Sequence, residues 1–182
     1  MKTHLAIFSL TLAFMAATTT QSQAATFWSM PASGCVVQTG SNTLVSQDAV
    51  FGTTTFAPGK FGDIKLTCPV APFPMDFASP SDFDMTYYDD NGFDPVSRVN
   101  HCYIRADLLR TNLDANEAGG DIASIQATNR VTSGRQVESA ILRENLDFST
   151  SYYWVDIQLH RDAANATCNP TLVGTNLDEP IF

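Results

Sequence analysis

Apolar and polar residues alternate along several short segments of the chain, most clearly over residues 151–161. Every second residue there is apolar, and most of the residues between are polar or aromatic. The apolar set is Tyr153, Val155, Ile157 and Leu159, and the intervening set is Tyr152, Trp154, Asp156, Gln158 and His160. Successive side chains of a β-strand point to opposite faces of its sheet. The pattern therefore predicts a strand that packs the first set into the core.

The same alternation predicts three further strands, at residues 63–68, 82–88 and 100–110. Their inward positions are expected to be Ile64, Leu66 and Cys68; Phe83, Met85 and Tyr87; and Cys102, Ile104, Ala106 and Leu108. Four weaker candidates are residues 48–56, 122–128, 137–142 and 171–174. Asn91-Gly92 follows the strand at 82–88 and is typical of a tight hairpin turn.

Eight short strands without sustained helical periodicity predict an all-β fold, an antiparallel β-sandwich of jelly-roll type. Residues 69–81 contain four prolines and residues 112–121 are polar, so both stretches are expected to be connections. No internal repeat or linker divides the chain. We therefore expect one domain over residues 25–182.

The N-terminus has the three parts of a secretory signal peptide. Lys2 precedes an apolar run of 13 residues from Leu5 to Ala17, and a polar stretch then leads to Ala24. The run is too short to cross a bilayer, and cleavage is expected after Ala24, which predicts a secreted or periplasmic protein. Residues 32–35, Ala-Ser-Gly-Cys, are similar to a lipoprotein attachment box, but the apolar run ends 18 residues before Cys35.

The acidic composition argues against polyanionic partners. The chain has 19 acidic and 10 basic residues, and removing the signal takes away Lys2 and no acid, so the net charge falls from −9 to −10. No two of the remaining bases are adjacent in the sequence, whereas phosphate backbones and anionic membranes are bound by clusters of Lys and Arg. Neither nucleic acid nor stable membrane insertion is expected.

The four cysteines, Cys35, Cys68, Cys102 and Cys168, are expected to form disulfides because the signal predicts export to an oxidising compartment. No Cys-x-x-Cys pair exists, which argues against zinc-ribbon and thioredoxin-type sites. Of the three pairings, we favour the sequential one, Cys35–Cys68 with Cys102–Cys168.

A set of local motifs resembles a group of uncharacterised exported bacterial proteins rich in β-structure. The motifs are the Cys35 segment, the Cys-Pro-Val pattern at the end of residues 62–70, the turn at 86–92 and the aromatic segment 152–157. The resemblance implies a signal-bearing, disulfide-bonded β-domain and transfers no catalytic residue.

The sequence offers one candidate metal site. Asp89, Asp90, Asn91 and Asp94 supply oxygen ligands of the kind that Ca²⁺ prefers, although their spacing does not match an EF-hand. The alternative is a solvated turn, where Asp and Asn bond locally to the backbone. Calcium is the one cofactor that the sequence suggests.

The candidate ligand site is the polar face of the strand at 151–161, where Tyr152 and Trp154 lie in register with Asp156. Flat aromatic rings beside hydrogen-bonding groups are typical of carbohydrate binding. The alternative is that the rings only fill cross-strand pairs.

Catalysis has little support, since the chain has no Gly-x-Ser-x-Gly motif, and His101 and His160 are expected at the surface. We therefore predict a non-enzymatic binding or structural module whose partner is an extracellular glycan or an envelope protein. The alternative is a secreted glycan hydrolase that uses an Asp/Glu pair, whose members the sequence does not identify.

Overall fold

The computed structural model describes residues 26–73, 79–88, 93–94, 99–100, 102–114, 120–127, 134–162 and 168–179. These residues form thirteen strands and one short 3₁₀ turn, Ala32–Gly34. The strands are β1 (Thr26–Pro31), β2 (Val36–Val37), β3 (Val45–Asp48), β4 (Thr53–Phe56), β5 (Gly62–Pro69), β6 (Asp82–Tyr88), β7 (Phe93–Asp94), β8 (Val99–Asn100), β9 (Cys102–Asn112), β10 (Gly120–Ala127), β11 (Arg135–Ile141), β12 (Ser151–Arg161) and β13 (Thr171–Asp178).

Two antiparallel sheets pack together as a sandwich. The five-stranded sheet has the order β10-β9-β12-β5-β2. The six-stranded sheet has the order β11-β6-β13-β4-β3, and β1 pairs with β13 beyond the short strand β4. Strands β7 and β8 form a separate pair. The predicted all-β sandwich is confirmed, and the described part of the chain holds no helix that is long and apolar enough to span a membrane.

The core lies between the two sheets and is built by the alternating residues. From the five-stranded sheet it takes the apolar sets of β5, β9 and β12, and from the six-stranded sheet Phe83, Met85 and Tyr87 with Leu172 and Leu177. All the positions that the alternation assigned to the interior are buried. Burial of this apolar area is the main favourable term in folding.

The two disulfides have the predicted pairing. Cys35–Cys68 joins the segment before β2 to β5, and Cys102–Cys168 joins the start of β9 to the segment before β13. The second bond therefore links a strand of the five-stranded sheet to the chain entering the six-stranded sheet.

The structure corrects the prediction of one strand over residues 48–56. Residues 49–52 form a turn between β3 and β4, because the Asp48 carboxylate accepts hydrogen bonds from the backbone N–H groups of Val50 (2.8 Å) and Phe51 (3.1 Å). Gly52 completes the turn with a φ of 70°, a conformation that glycine adopts at little cost. The hydrogen bonds to the Asp48 side chain thus take the place of the backbone hydrogen bonds that a continuous strand would form.

The hairpin expected after β6 is not formed with the strand that follows. Strand β6 pairs with β11 and β13, whereas β7 pairs with β8. Asn91-Gly92 itself lies outside the described residues. Strands β1, β2 and β3 were not predicted as strands because they are short or lack a regular alternation.

Candidate functional site

The outer face of the five-stranded sheet carries a row of polar side chains. Asp156 on β12 lies directly opposite Asp107 on β9 and Thr67 on β5. The Thr67 hydroxyl donates to Asp156 Oδ1 at 2.9 Å, and Gln38 Nε2 donates to Thr67 Oγ1 at 2.8 Å. This chain of bonds fixes the orientation of the Asp156 carboxylate.

Asp107 is held from the other side. The Ser124 hydroxyl donates to Asp107 Oδ1 at 2.5 Å, and Arg105 Nε lies 2.8 Å from Asp107 Oδ2. Asp107 and Asp156 border a shallow depression of about 200 Å³, which Gln38, Lys65 and Gln158 also line together with Ile157. We call this feature the polar depression.

Two aromatic side chains extend the same face along β12. Tyr152 is 66% exposed, and Trp154 is half-buried between its cross-strand partners Leu109 and Pro69. Because a strand rises about 3.3 Å per residue, the Tyr152 and Asp156 backbones are about 13 Å apart. The aromatic and polar groups thus form one row along β12, and this row is about as long as a short oligosaccharide.

A second polar cluster lies at the far end of β12. His160 Nδ1 is 2.7 Å from Asp63 Oδ1, Gln158 Nε2 donates to the same oxygen at 3.0 Å, and the Tyr103 ring stacks on His160 at 4.8 Å between centroids. Partial burial acts to raise the pKa of Asp63, but the His160 and Gln158 hydrogen bonds and the positive charges of His160 and Lys65 outweigh it. The pKa of Asp63 is therefore lowered from its ordinary value of 3.8.

The lowered pKa predicts a pH-dependent contribution to stability. The ionised Asp63 stabilises the fold above its unfolded pKa of 3.8, and this contribution is lost as the pH falls through the lower folded pKa. We expect His160→Ala to raise the pKa of Asp63 in a carboxyl NMR titration and to move the onset of acid unfolding to higher pH. Gln126→Ala, at an exposed position of β10, is the control. An unchanged Asp63 pKa in His160→Ala would contradict the assignment.

The structure places the predicted ligand residues as follows. Tyr152, Trp154 and Asp156 share one face, as predicted, and Trp154 is not fully buried. Asp89, Asp90 and Asn91 of the calcium hypothesis lie outside the described residues, as does the side chain of Asp94. Within the described ranges no group of three or more His, Cys, Asp and Glu could hold a metal ion.

Sequence reasoning missed the neighbours of Asp156. Asp107 lies between the inward positions Ala106 and Leu108, so the alternation places it on the outer face, but its position opposite Asp156 depends on the register between β9 and β12. Gln38 lies in a segment where no strand was predicted. His160 is at the surface, as expected, although His101 lies outside the described residues and the pairing of His160 with Asp63 was not expected.

Two acidic residues that precede the calcium candidates in the sequence lie on the opposite sheet. Asp82 and Asp84 are on β6, where Asn176 Nδ2 donates to Asp84 Oδ2 at 3.4 Å. Burial raises the pKa of Asp84; a hydrogen bond from Ser139 opposes this effect, and the negative charge of Asp178 adds to it. This cluster spans β6 and β13, leaves one buried oxygen of Asp84 and one of Asp178 without a hydrogen-bond partner among the described residues, and lies on the other sheet from the polar depression.

Neither a known protein family nor a curated protein matches this chain. The class that the structure defines is therefore its fold, a disulfide-linked antiparallel β-sandwich with a polar and aromatic outer face on the five-stranded sheet.

Proposed function

We propose that the protein is an exported, non-enzymatic module that binds carbohydrate on the outer face of the five-stranded sheet. The observation that carries the proposal is the exposed ring of Tyr152 in line with Trp154 and the fixed carboxylate of Asp156. Export rests on the signal sequence Met1 to Ala24, and the two disulfides are typical of an oxidising compartment.

The chemistry of the face suits an uncharged sugar. The C–H face of a pyranose ring packs on an aromatic ring, and its hydroxyls donate to carboxylates or accept from amides. Asp156 uses Oδ1 to accept from Thr67, which leaves Oδ2 for a ligand hydroxyl, and Gln158 and Lys65 supply donors beside it. Because Gln38 and Thr67 already hold Asp156, little ordering is needed on binding.

The position of the two carboxylates favours binding over glycan hydrolysis. A glycosidase places its acid and its base or nucleophile on either side of the scissile bond. Asp107 and Asp156 project side by side from adjacent strands into a shallow depression, and Ser124 and Arg105 already engage Asp107. We expect no shortened products when a bound oligosaccharide is incubated with the protein and examined by mass spectrometry. Products that disappear with Asp156→Asn would instead support the hydrolase.

The test is a screen of the chain from Ala25 onward against immobilised neutral oligosaccharides, followed by calorimetric titration of the best binder. Tyr152→Ala is expected to weaken binding about tenfold, because one stacked ring is lost from an exposed position that contributes little to folding. Trp154→Ala should weaken binding at least as much. Because Trp154 is half-buried, the melting temperature of this variant is measured in parallel.

Tyr88→Ala is the matched control, since Tyr88 is an exposed tyrosine at the end of β6 on the other sheet. It should leave the affinity unchanged. If no oligosaccharide binds, or if Tyr88→Ala and Tyr152→Ala have equal effects, the proposal is wrong.

A further inference from the structure

A second pocket lies on the outer face of the six-stranded sheet. It has a volume of about 420 Å³ and is lined by Phe51, Thr53, Tyr88, Arg135, Thr171 and Val173. We call it the Phe51 pocket. Its volume is within the range of small-molecule sites, and it combines aromatic and apolar side chains with a few polar groups, as such sites do.

The apolar wall of the pocket is exposed although it is held in place. Phe51 is 75% exposed and Tyr88 is 39% exposed. The turn that carries Phe51 is fixed by the Asp48 carboxylate and by a bond of 3.1 Å from Ser33 N–H to the Gly52 carbonyl. Removing a large exposed apolar side chain from water lowers the free energy, so a ligand that covers Phe51 is bound favourably.

The polar wall is provided by Arg135. Arg135 on β11 lies opposite Tyr88 on β6, which in turn lies opposite Thr171 on β13. Arg135 forms no ion pair with any residue that the structure describes, and the described residues that line the pocket include no acid. In contrast, Arg105 and Arg110 on β9 each lie 2.8 Å from a carboxylate oxygen.

We propose that the Phe51 pocket binds a small carboxylate that has an apolar body. The guanidinium of Arg135 matches a carboxylate in charge and in its two-pronged geometry, and the rings of Phe51 and Tyr88 cover the apolar part. Thr53 and Thr171 line the same space, and the Thr171 hydroxyl is bonded to Thr55 Oγ1 and to the Asn169 carbonyl. The site lies on the sheet opposite the proposed carbohydrate face and does not depend on it.

The test is a titration of the chain from Ala25 onward with octanoate and with phenylacetate, followed by ¹H–¹⁵N NMR. Saturable shifts are expected at Phe51, Tyr88 and Arg135, and the tighter of the two probes identifies an alkyl or an aromatic body. Arg135→Gln should weaken binding about tenfold, since a charge-assisted hydrogen bond is lost. The uncharged analogues octanol and phenylacetamide should bind weakly, and with equal affinity to the wild-type protein and to Arg135→Gln.

Arg143→Gln is the matched control because it removes one positive charge from an exposed arginine whose partner is Asp121. Phe51→Ala tests the apolar wall at a position that is too exposed to affect folding. If neither carboxylate gives saturable shifts, or if Arg135→Gln and Arg143→Gln behave alike, the assignment is overturned. Tyr152→Ala should leave these titrations unchanged.

Discussion

Replacement of Cys102 and Cys168 together by alanine is expected to lower the free energy of unfolding by about 4 kcal/mol. The bond closes a chain segment of 66 residues, so its removal restores much of the conformational entropy of the unfolded state. Both cysteines are also completely buried, at the junction between β9 and the chain that enters β13. Urea unfolding followed by tryptophan fluorescence measures the loss.

The second disulfide provides the matched comparison. Cys35–Cys68 closes 33 residues, half as many, so the double alanine variant at these positions should be more stable than the first by about 0.6 kcal/mol. Wild-type protein under a thiol reductant should unfold at a lower urea concentration than either double variant. Wild-type stability in the variant that lacks Cys102 and Cys168 would contradict the predicted role of the longer loop.

Gly174→Ala is expected to destabilise the fold by about 2–3 kcal/mol, because the added methyl group has no space. A Cβ on Gly174 would lie 2.6 Å from the Met30 carbonyl oxygen and 3.3 Å from the Pro31 Cα. Both atoms belong to the backbone of β1, which pairs with β13 at this point, so a side-chain rotation cannot relieve the contact. Thermal unfolding should show a decrease of about 5–10 °C in Tm.

Gly120→Ala is the control for this effect. Gly120 also lies in a strand, but the nearest atom to its added Cβ is Arg110 Nε at 4.0 Å. Alanine should be neutral or slightly stabilising there, since glycine weakens a strand. Equal melting temperatures for the two variants would show that the close approach of β1 to β13 does not constrain the sheet.

The sequence was sufficient for β12 and β6 because their signal is local, whereas only the first half of β13 was predicted. In β12 the polarity of each residue indicates which face of the sheet it occupies, and the boundaries Ser151 and Arg161 agree with the prediction. In β6 the same holds for Asp82–Tyr88. The turn at residues 49–52 was missed because its hydrogen bonds from Asp48 are set by side-chain geometry rather than by hydrophobic alternation.

The candidate sites were predicted in part, for a physical reason. Tyr152, Trp154 and Asp156 share one strand, so their common face follows from a period of two. Asp107 and Thr67 join Asp156 only through the register of two strand pairs that are distant in sequence. The Phe51 pocket draws on β4, β6, β11 and β13 and the turn before β4, so no single segment contains its pattern.

Because β13 lies in the middle of the six-stranded sheet, this sheet is completed late in folding. Strand β13 pairs with β6 on one side and with β4 and β1 on the other, although β1 begins at Thr26 and β13 ends at Asp178. The six-stranded sheet is thus complete only after the polypeptide has emerged as far as residue 178. Such long-range pairing slows folding, and the backbone edges of β1, β4 and β6 that pair with β13 stay open until this late strand is in place.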